Sequence, residues 1–225
     1  MTKTRYPIAT FTGLFIALVF PFILDLLLGR RSDDLANPAR AGLFLIEEWI
    51  LALILLGIVL FWERQPLASI GIKRMSWRDV IWAIVAFLVG AVSFVFTAPI
   101  VNALGLGTTS DSITQLAQVP ISLRIGIVIT AGVTEEILFR GYPIERLKDV
   151  TGRLAWGAVI AYLVFVVLHI PFWGIGGTIQ IGVWSIVVTV LYIKRRNLFS
   201  CMLMHILNDA YAFLLLPMFF AQYLQ

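Results

Sequence analysis

The chain has 225 residues, of which 60% are hydrophobic and 13% are charged, and its mean hydropathy is +0.94. This composition excludes an ordinary soluble protein and is typical of an integral membrane protein. We attribute the net charge of +4 to basic loops beside anionic lipid, so nothing indicates a nucleic-acid partner. The single cysteine, Cys201, excludes an intrachain disulfide.

Apolar segments follow one another along the whole chain, each long enough, or nearly so, to cross a hydrocarbon layer of about 30 Å as a helix. The seven segments are residues 9–29, 42–62, 80–101, 121–141, 154–173, 177–193 and 198–220. No alternating strand pattern accompanies them. The sequence therefore predicts one all-α domain over residues 1–225, a polytopic membrane bundle of about seven transmembrane helices.

Basic residues are distributed unevenly among the predicted loops. The larger group contains twelve residues, Lys3, Arg5, Arg64, Lys73, Arg74, Arg78, Arg146, Lys148, Arg153, Lys194, Arg195 and Arg196. The opposite group contains Arg30, Arg31 and Arg40. The positive-inside rule therefore predicts a cytoplasmic N-terminus and an external C-terminus. We expect the membrane to be a bacterial plasma membrane.

Acidic residues in the first two predicted spans have a simple explanation. An ionisable side chain costs roughly 2.5 to 3.5 kcal/mol at a bilayer centre on insertion scales, so any such residue is a candidate for function. Asp25 lies near the end of the first span, and Glu47 and Glu48 open the second. We interpret all three as helix-end groups that are solvated by headgroups or paired with a helix dipole.

The stretch TEEILFR in the fourth span, residues 134–140, is harder to explain as a helix end. Glu136 and Arg140 are four residues apart, so they share a helix face and can form an internal ion pair. Glu135 points about 100° away from that pair and has no partner on its own helix. It is the candidate reactive carboxylate.

Both histidines of the chain also lie in predicted spans. Phe165 and His169 share one face of the fifth span, and His205 and Asp209 share one face of the seventh. Asn208 lies one position to the side. The sequence thus supplies two imidazoles, an amide and a carboxylate from two of the predicted spans.

Together with Glu135, these groups suit two kinds of chemistry. They can hold a zinc ion through nitrogen and oxygen ligands, in which case the ligands are Glu135, His169, His205 and Asp209. Alternatively, Glu135 can activate a water molecule while the histidines and an Asx side chain stabilise an oxyanion. The residues alone leave both possibilities open.

The order and spacing of these residues resemble the three motifs of the CPBP family. The motifs in this chain are Glu135-Glu136-x-x-x-Arg140, Phe165-x-x-x-His169 and His205-x-x-x-Asp209. The family includes type II CAAX prenyl endopeptidases, bacteriocin-processing and self-immunity proteins, and Abi-type glutamic intramembrane proteases. We interpret residues 121–215 as the catalytic core and spans 1–3, residues 9–101, as family-variable N-terminal helices.

The resemblance implies an intramembrane endopeptidase in which Glu135 activates the attacking water. It also implies that His169 and His205 complete the active centre, with Glu136 and Arg140 in support. We expect no cofactor, with zinc as the alternative. The expected substrate is a membrane protein or a lipidated or sorting-signal peptide, such as a prenylated CAAX tail, a bacteriocin leader or a peptide pheromone. The oligomeric state is not predicted.

The last motif departs from the family, which usually has Asn where this chain has Asp209. An ionised Asp cannot donate a hydrogen bond to an oxyanion. It can orient His205, or burial can keep it protonated. Asn208 can replace the missing donor.

Other functions remain possible from the sequence. A non-catalytic immunity or scaffold protein would keep the motifs as a polar core, and a transporter would use them to relay protons. The absence of inverted hydropathy repeats counts against transport. The signatures HExxH, GxGD and GxSG are absent, which excludes zinc site-2, aspartyl and rhomboid proteases.

The predicted depths of the candidate residues disagree. Counting from the basic loops at about 1.5 Å per residue places Glu135 and His205 roughly 9 to 14 Å deep and His169 about 24 Å deep. We therefore expect the fourth helix to kink near Pro143 and continue through residues 145–149. We also expect the fifth span to tilt strongly or begin in the interface.

Overall fold

The computed structural model describes residues 7–29, 34 and 37–219, and within these residues it contains helices and turns but no strand. The all-α prediction is therefore confirmed. Some residues used in the sequence predictions lie outside the described part of the chain, namely Lys3, Arg5, Arg30, Arg31 and residue 220 of the last predicted span.

The N-terminal half contains long apolar helices joined by short connections. The helices are α1 (Pro7–Leu18), α2 (Phe20–Leu28), α3 (Pro38–Gly57), α4 (Trp77–Ala103) and α5 (Thr109–Leu116). Asn37 begins α3, because its side chain accepts hydrogen bonds from the first free backbone amides of that helix. Ser76 and Asp79 form a reciprocal capping box at the start of α4. A π-helical turn, Ile58–Trp62, lengthens α3 at its C-terminal end.

A continuous helical stretch carries Glu135. It consists of α6 (Ile121–Thr130), the π turns Ala131–Glu135 and Ile137–Gly141, and α7 (Tyr142–Thr151). Pro143 lies two residues after the second π turn, and such local π adjustments allow a helix in a membrane to accommodate a proline. The prediction that this helix continues past Gly141 through residues 145–149 is confirmed.

The C-terminal part returns through the bundle and supplies both histidines. Its elements are α8 (Leu154–Leu168), α9 (Ile170–Arg195), α10 (Leu198–Ala210), the π turn Tyr211–Leu215 and α11 (Leu216–Phe219). A Cβ built on Gly182 would lie 3.5 Å from the Tyr162 hydroxyl, which shows that α9 runs back along α8.

The predicted boundary between the fifth and sixth spans is wrong. Helix α8 ends at Leu168, before the predicted end at residue 173, and His169 lies at the turn. Pro171 follows in the first turn of α9, and its ring prevents α8 from continuing through it. Gly174 has φ 63° and ψ −179°, a conformation that favours glycine and interrupts the start of α9.

Within the described residues, five helical segments are long and apolar enough to cross a membrane. They are Pro7–Leu28, Pro38–Trp62, Trp77–Ala103, Ile170–Arg195 and Leu198–Phe219. The segment Leu154–Leu168 is apolar but shorter. Residues 121–141 are helical, although π turns and ionisable side chains interrupt their apolar pattern. The protein is thus an integral membrane helical bundle, and the number of seven crossings stays a prediction.

The bundle has an apolar periphery and a polar centre. Helix α4 packs against α9 and α10, and α8 packs against α7 and α9. Phe61 and Phe96 are 80% and 70% exposed, whereas Glu136 and Arg140 are almost completely buried. This distribution is suited to lipid, because the apolar side chains face outward and the charged pair faces other helices.

A second buried polar network joins α1 to α7. The hydroxyls of Thr10 and Tyr142 both donate to Glu63 Oε1, at 3.0 and 2.9 Å. Arg146 donates to the other oxygen of the same carboxylate at 2.7 Å. Burial and the nearby Glu63 carboxylate raise the pKa of Tyr142, which keeps its hydroxyl protonated as a donor. These contacts fix the N-terminal helix against the stretch that carries Glu135.

Candidate active site

Two consecutive π turns surround Glu135. The first, Ala131–Glu135, ends at Glu135, and the second, Ile137–Gly141, begins two residues later. A π turn adds a residue to a helical turn and changes the direction of the side chains that follow, and such turns are frequent at functional sites. Glu135 is largely buried, and its Oε2 atom has no hydrogen-bond partner among the described residues.

A close helix contact brings α10 beside this turn. A Cβ built on Gly132 would lie 2.4 Å from Ile206 Cγ1 and 3.2 Å from the Ile206 amide nitrogen, so only glycine allows this approach. Ile206 is the residue after His205. The contact therefore places the last predicted motif next to the first.

Arg140 and Glu136 form the predicted ion pair. Their nearest atoms, Arg140 Nη1 and Glu136 Oε1, are 3.1 Å apart, and the side chains are 1% and 0% exposed. Arg140 also donates to Ser185 Oγ at 2.9 Å, and its guanidinium lies 3.8 Å from the centre of the Phe165 ring. These contacts satisfy a charge that would otherwise be costly to bury.

Glu136 orients His205. The two atoms His205 Nδ1 and Glu136 Oε1 are 2.7 Å apart, and the carboxylate that pairs with Arg140 can only accept, so Nδ1–H is the donor. The other ring nitrogen, Nε2, lies 3.9 Å from Glu135 Oε2 and 3.5 Å from Asp209 Oδ2. The hydrogen bond to Glu136 thus directs Nε2 towards the two remaining carboxyl groups.

His169 is oriented by backbone. Its Nδ1–H donates to the Phe165 carbonyl at 2.7 Å, because a carbonyl oxygen can only accept. The rings of Phe165 and His169 are 4.2 Å apart between centroids. The predicted secondary candidate Phe165 therefore acts as the link between Arg140 and His169, and the Nε2 atom of His169 is left for another contact.

The third motif carries a paired amide and carboxyl. Asn208 Nδ2 donates to Asp209 Oδ1 at 3.1 Å, and Asp209 is 6% exposed. No hydrogen bond joins Asp209 to His205 in the described structure, since their nearest atoms are 3.5 Å apart. Glu136, rather than Asp209, therefore makes the direct hydrogen bond to His205.

These residues meet at one cavity of about 270 Å³. Glu135, His169, His205 and Asp209 line it together with Asn208, although counting along the sequence placed His169 much deeper than Glu135 and His205. The turn at His169 and the extension of α6 into α7 bring the groups to one space. Glu136 and Arg140 do not belong to its lining and lie behind the reactive side chains.

The sequence interpretation of Glu48 is wrong. Glu48 is 8% exposed and lines the same cavity, so it is not a headgroup-solvated residue. Thr134, the neighbour of Glu135, forms a hydrogen bond with it through its hydroxyl. The only sequence signal was the acidic pair of Glu47 and Glu48 in an apolar span, which equally suits a helix end.

The side chains do not form a preformed zinc site. Among the residues that the structure describes, no group of three or more His, Cys, Asp and Glu is placed to hold a metal ion. The Nδ1 atoms of His169 and His205 already contact a carbonyl and a carboxylate, which leaves only Nε2 on each ring. Each Nε2 is available to a water molecule, an oxyanion or a metal ion, because metal-binding histidines also hydrogen-bond carbonyls and carboxylates through their other ring nitrogen.

The family comparison agrees with this geometry. Residues 117–211 match the model of a family described as Type II CAAX prenyl endopeptidase Rce1-like. No curated protein and no solved structure matches the chain. The matched range contains all the residues of the three motifs, whereas Glu48 lies outside it. Residues 117–211 are thus similar to the Rce1-like, type II CAAX prenyl endopeptidases of the CPBP family.

Proposed function

We propose that the protein is an intramembrane endopeptidase that hydrolyses a peptide bond in a membrane-associated protein or peptide, with Glu135 as its general base and acid. The observation that carries this proposal is the meeting of the Glu135 carboxyl with His169 and His205 at one cavity. The similarity of residues 117–211 to the type II CAAX prenyl endopeptidases also supports it.

In the proposed reaction, Glu135 removes a proton from a water molecule, and the water oxygen bonds to the scissile carbonyl carbon. A tetrahedral oxyanion forms. Glu135 then gives the proton to the leaving nitrogen as the carbon–nitrogen bond breaks, and a free carboxyl end and a free amine are released. Proton transfer by a positioned group of this kind typically contributes about 10²- to 10⁴-fold to the rate.

The histidines place the water and the oxyanion. The Nδ1 atom of His205 is bonded to Glu136, and the Nδ1 atom of His169 is bonded to the Phe165 carbonyl. On each ring, the Nε2 atom therefore points away from that partner. An unprotonated Nε2 accepts a hydrogen from the water, and a protonated Nε2 donates to the oxyanion. Asn208 is the further amide donor at the cavity, and Asp209 helps to orient His205 from the side of Nε2.

We propose that catalysis needs no metal, because Glu135 and the Nε2 atoms of both histidines already supply a base and hydrogen-bonding groups for the reaction. A zinc enzyme with the ligands Glu135, His169, His205 and Asp209 is the alternative, and metal removal separates the two.

The proposed substrate is a lipidated or apolar peptide segment, such as a prenylated CAAX tail or a C-terminal sorting signal. Aromatic side chains from several helices line the cavity, including Phe44, Phe94, Phe139 and Phe213. Such walls favour apolar groups over charged ones. We also propose that the protein lies in a bacterial plasma membrane, with its N-terminus cytoplasmic and its C-terminus outside.

The proposal is tested by comparing peptide termini in cells that lack the protein and carry either the wild type or Glu135→Gln at matched levels. Membrane-protein ends that appear only with the wild type establish proteolysis and identify the substrate. Identical termini, with both versions rescuing the deletion phenotype, would instead support the scaffold function. Loss of proton coupling in Glu135→Gln, without any change in termini, would support transport.

A further inference from the structure

One part of the cavity has apolar walls that come from four different segments of the chain. Its lining residues lie on α5, α6, α9 and the π turn after α10, and they are Ile113, Ile127, Trp173 and Phe213. All four pack in one hydrophobic cluster that is distinct from the main core of the bundle. We call the space beside these four residues the apolar compartment.

The apolar compartment adjoins the reactive side chains. The amide of Trp173 donates to the His169 carbonyl at 3.0 Å, so Trp173 follows His169 by one helical turn. Ile206, the residue after His205, packs against the same cluster. A peptide bond that lies beside the two histidines therefore has the apolar compartment next to it.

Arg124 holds the wall that carries Phe213. Its Nη1 donates to the Phe213 carbonyl oxygen at 2.9 Å. Pro217 lies four residues after Phe213 and has no amide hydrogen, so it cannot supply the α-helical hydrogen bond to this carbonyl. A hydrogen bond from a guanidinium is stronger than one between neutral groups. Arg124 therefore fixes the π turn and with it the Phe213 ring, which lies nearly parallel to the Trp173 ring at 6.1 Å between centroids.

A second buried polar contact holds α5. Gln180 is almost completely buried, and its Oε1 accepts a hydrogen bond from the amide nitrogen of Thr109 at 2.9 Å. Thr109 is the first residue of α5, where backbone amides have no partner within the helix. Gln180 thus ties the start of α5 to α9 and fixes the place of Ile113. The walls of the apolar compartment are therefore preformed, as is usual for a binding pocket.

The volume limits what the apolar compartment can hold. The whole cavity measures about 270 Å³, just below the range of roughly 300 to 1,000 Å³ that is typical of pockets for drug-sized ligands. Part of this space must hold the scissile bond and the attacking water. The remainder suits one apolar side chain, whereas a long lipid chain would not be enclosed.

We propose that the apolar compartment binds one bulky apolar side chain of the substrate next to the scissile bond, and that Phe213 sets its size. This inference rests on the proposed peptidase function and adds to it the class of residue that is selected at the cleavage site. Phe213 is a specificity-determining residue because its ring lines the apolar compartment. Arg124 is a positioning residue that acts through the Phe213 carbonyl. Ile113 and Phe213 both lie outside the matched range of residues 117–211.

The test uses the purified protein in liposomes and a panel of peptides that span the cleavage site found in cells. Each residue near the scissile bond is replaced in turn by Ala, Leu, Phe or Trp, and one further peptide carries a prenylated cysteine. All peptides compete in one reaction, so the ratios of their kcat/KM values do not depend on the amount of active protein. At one position the wild type should favour Leu or Phe over Ala by about tenfold or more, as expected for added methylene groups in a hydrophobic pocket.

Variants of Phe213 change the size of the apolar compartment in both directions. Phe213→Ala enlarges it and should raise the ratio of Trp to Leu at that position by about tenfold, whereas Phe213→Trp narrows it and should shift the preference towards Ala. Phe87→Ala is the matched control. Phe87 is partly buried and its ring contacts Tyr211 of the same π turn, but Phe87 does not line the cavity. Its ratios should equal those of the wild type.

Variants of Arg124 test its positioning role. Arg124→Met removes the hydrogen bond to the Phe213 carbonyl and should weaken the preference for Leu or Phe over Ala by about fivefold, the equivalent of one net hydrogen bond. Arg124→Lys keeps an N–H donor and should retain most of the preference. A merely structural role would instead slow the cleavage of all peptides equally, and that result would overturn the role given to Arg124.

The outcomes separate this inference from the proposed function. A wild type that cleaves nothing, in cells or in liposomes, refutes the peptidase function and the inference with it. Cleavage that depends on Glu135, with the same ratios in the wild type, Phe213→Ala and Phe213→Trp, refutes the inference alone. A response to Phe213 at the prenylated cysteine rather than at an unmodified side chain also overturns it. If the Phe213 variants do not accumulate in the membrane, Ile113→Ala and Ile113→Phe take their place, and unchanged ratios in both overturn the inference.

Discussion

Replacement of Arg140 by methionine should destabilise the protein by about 3–5 kcal/mol, because it leaves the Glu136 charge buried without its partner. Arg140 makes two hydrogen bonds, to Glu136 at 3.1 Å and to Ser185 at 2.9 Å. Hydrogen bonds to charged groups contribute about 1.5–3 kcal/mol each, which gives a total in the same range. The substitution also removes the guanidinium that packs on the Phe165 ring.

The free energy of unfolding can be measured by titrating the purified protein in mixed micelles with a denaturing detergent. The double variant Glu136→Leu/Arg140→Met leaves no unpaired charge at this position and should recover a large part of the lost stability. Arg40→Met is the control, because the Arg40 side chain is 57% exposed and its ion pair with Asp34 should contribute less than about 1 kcal/mol. The reasoning would be refuted if Arg140→Met lowered the free energy of unfolding by less than about 1 kcal/mol, or if the double variant were less stable than the single one.

Three further variants or treatments test other parts of the site. Gly132→Ala should lower the free energy of unfolding by about 1–3 kcal/mol and slow cleavage, because its Cβ would meet Ile206. Gly42→Ala is the control, since a Cβ at that position has open space, and it should have no effect. Equal effects of the two variants would contradict the close contact at Gly132. Asp209→Asn introduces the amide that the motif resemblance predicts at this position and should keep the cleavage rate. Asp209→Leu removes a polar neighbour of His205 and should lower the rate at least about tenfold. An equal loss in both variants would show that the carboxylate is required. Dialysis against a strong chelator should leave the cleavage rate unchanged, and a loss that zinc restores would establish the metal-dependent alternative.

Local relationships in the sequence predicted much of the site. The Glu136–Arg140 pair follows from a spacing of four on a helix, and the structure confirms it. The continuation of the helix past Gly141 was also predictable, because residues after Pro143 keep an amphipathic helical pattern. The three motifs also indicated the similarity to the Rce1-like family, because each lies within a single helix or at its end.

Contacts between distant parts of the chain were not predictable in the same way. Glu48 and Thr134 are 86 positions apart, and only the packing of α3 on the π turn makes Glu48 part of the site. The π turns have no clear residue signature, yet they change the direction in which Glu135 points. The position of His169 was also not predictable. The turn before Pro171 ends α8 at Leu168, earlier than the length of the apolar segment predicted.

The most direct test of the account is the cleavage of a defined peptide by the purified protein in metal-free liposomes. The peptide should span the cleavage site found from the comparison of cellular termini. The wild type is expected to release both products, and Glu135→Gln, at equal reconstituted amounts, should be slower by about 10²- to 10⁴-fold because it cannot accept a proton from water. Equal rates for the wild type and Glu135→Gln would contradict the central claim that this carboxyl group activates the water.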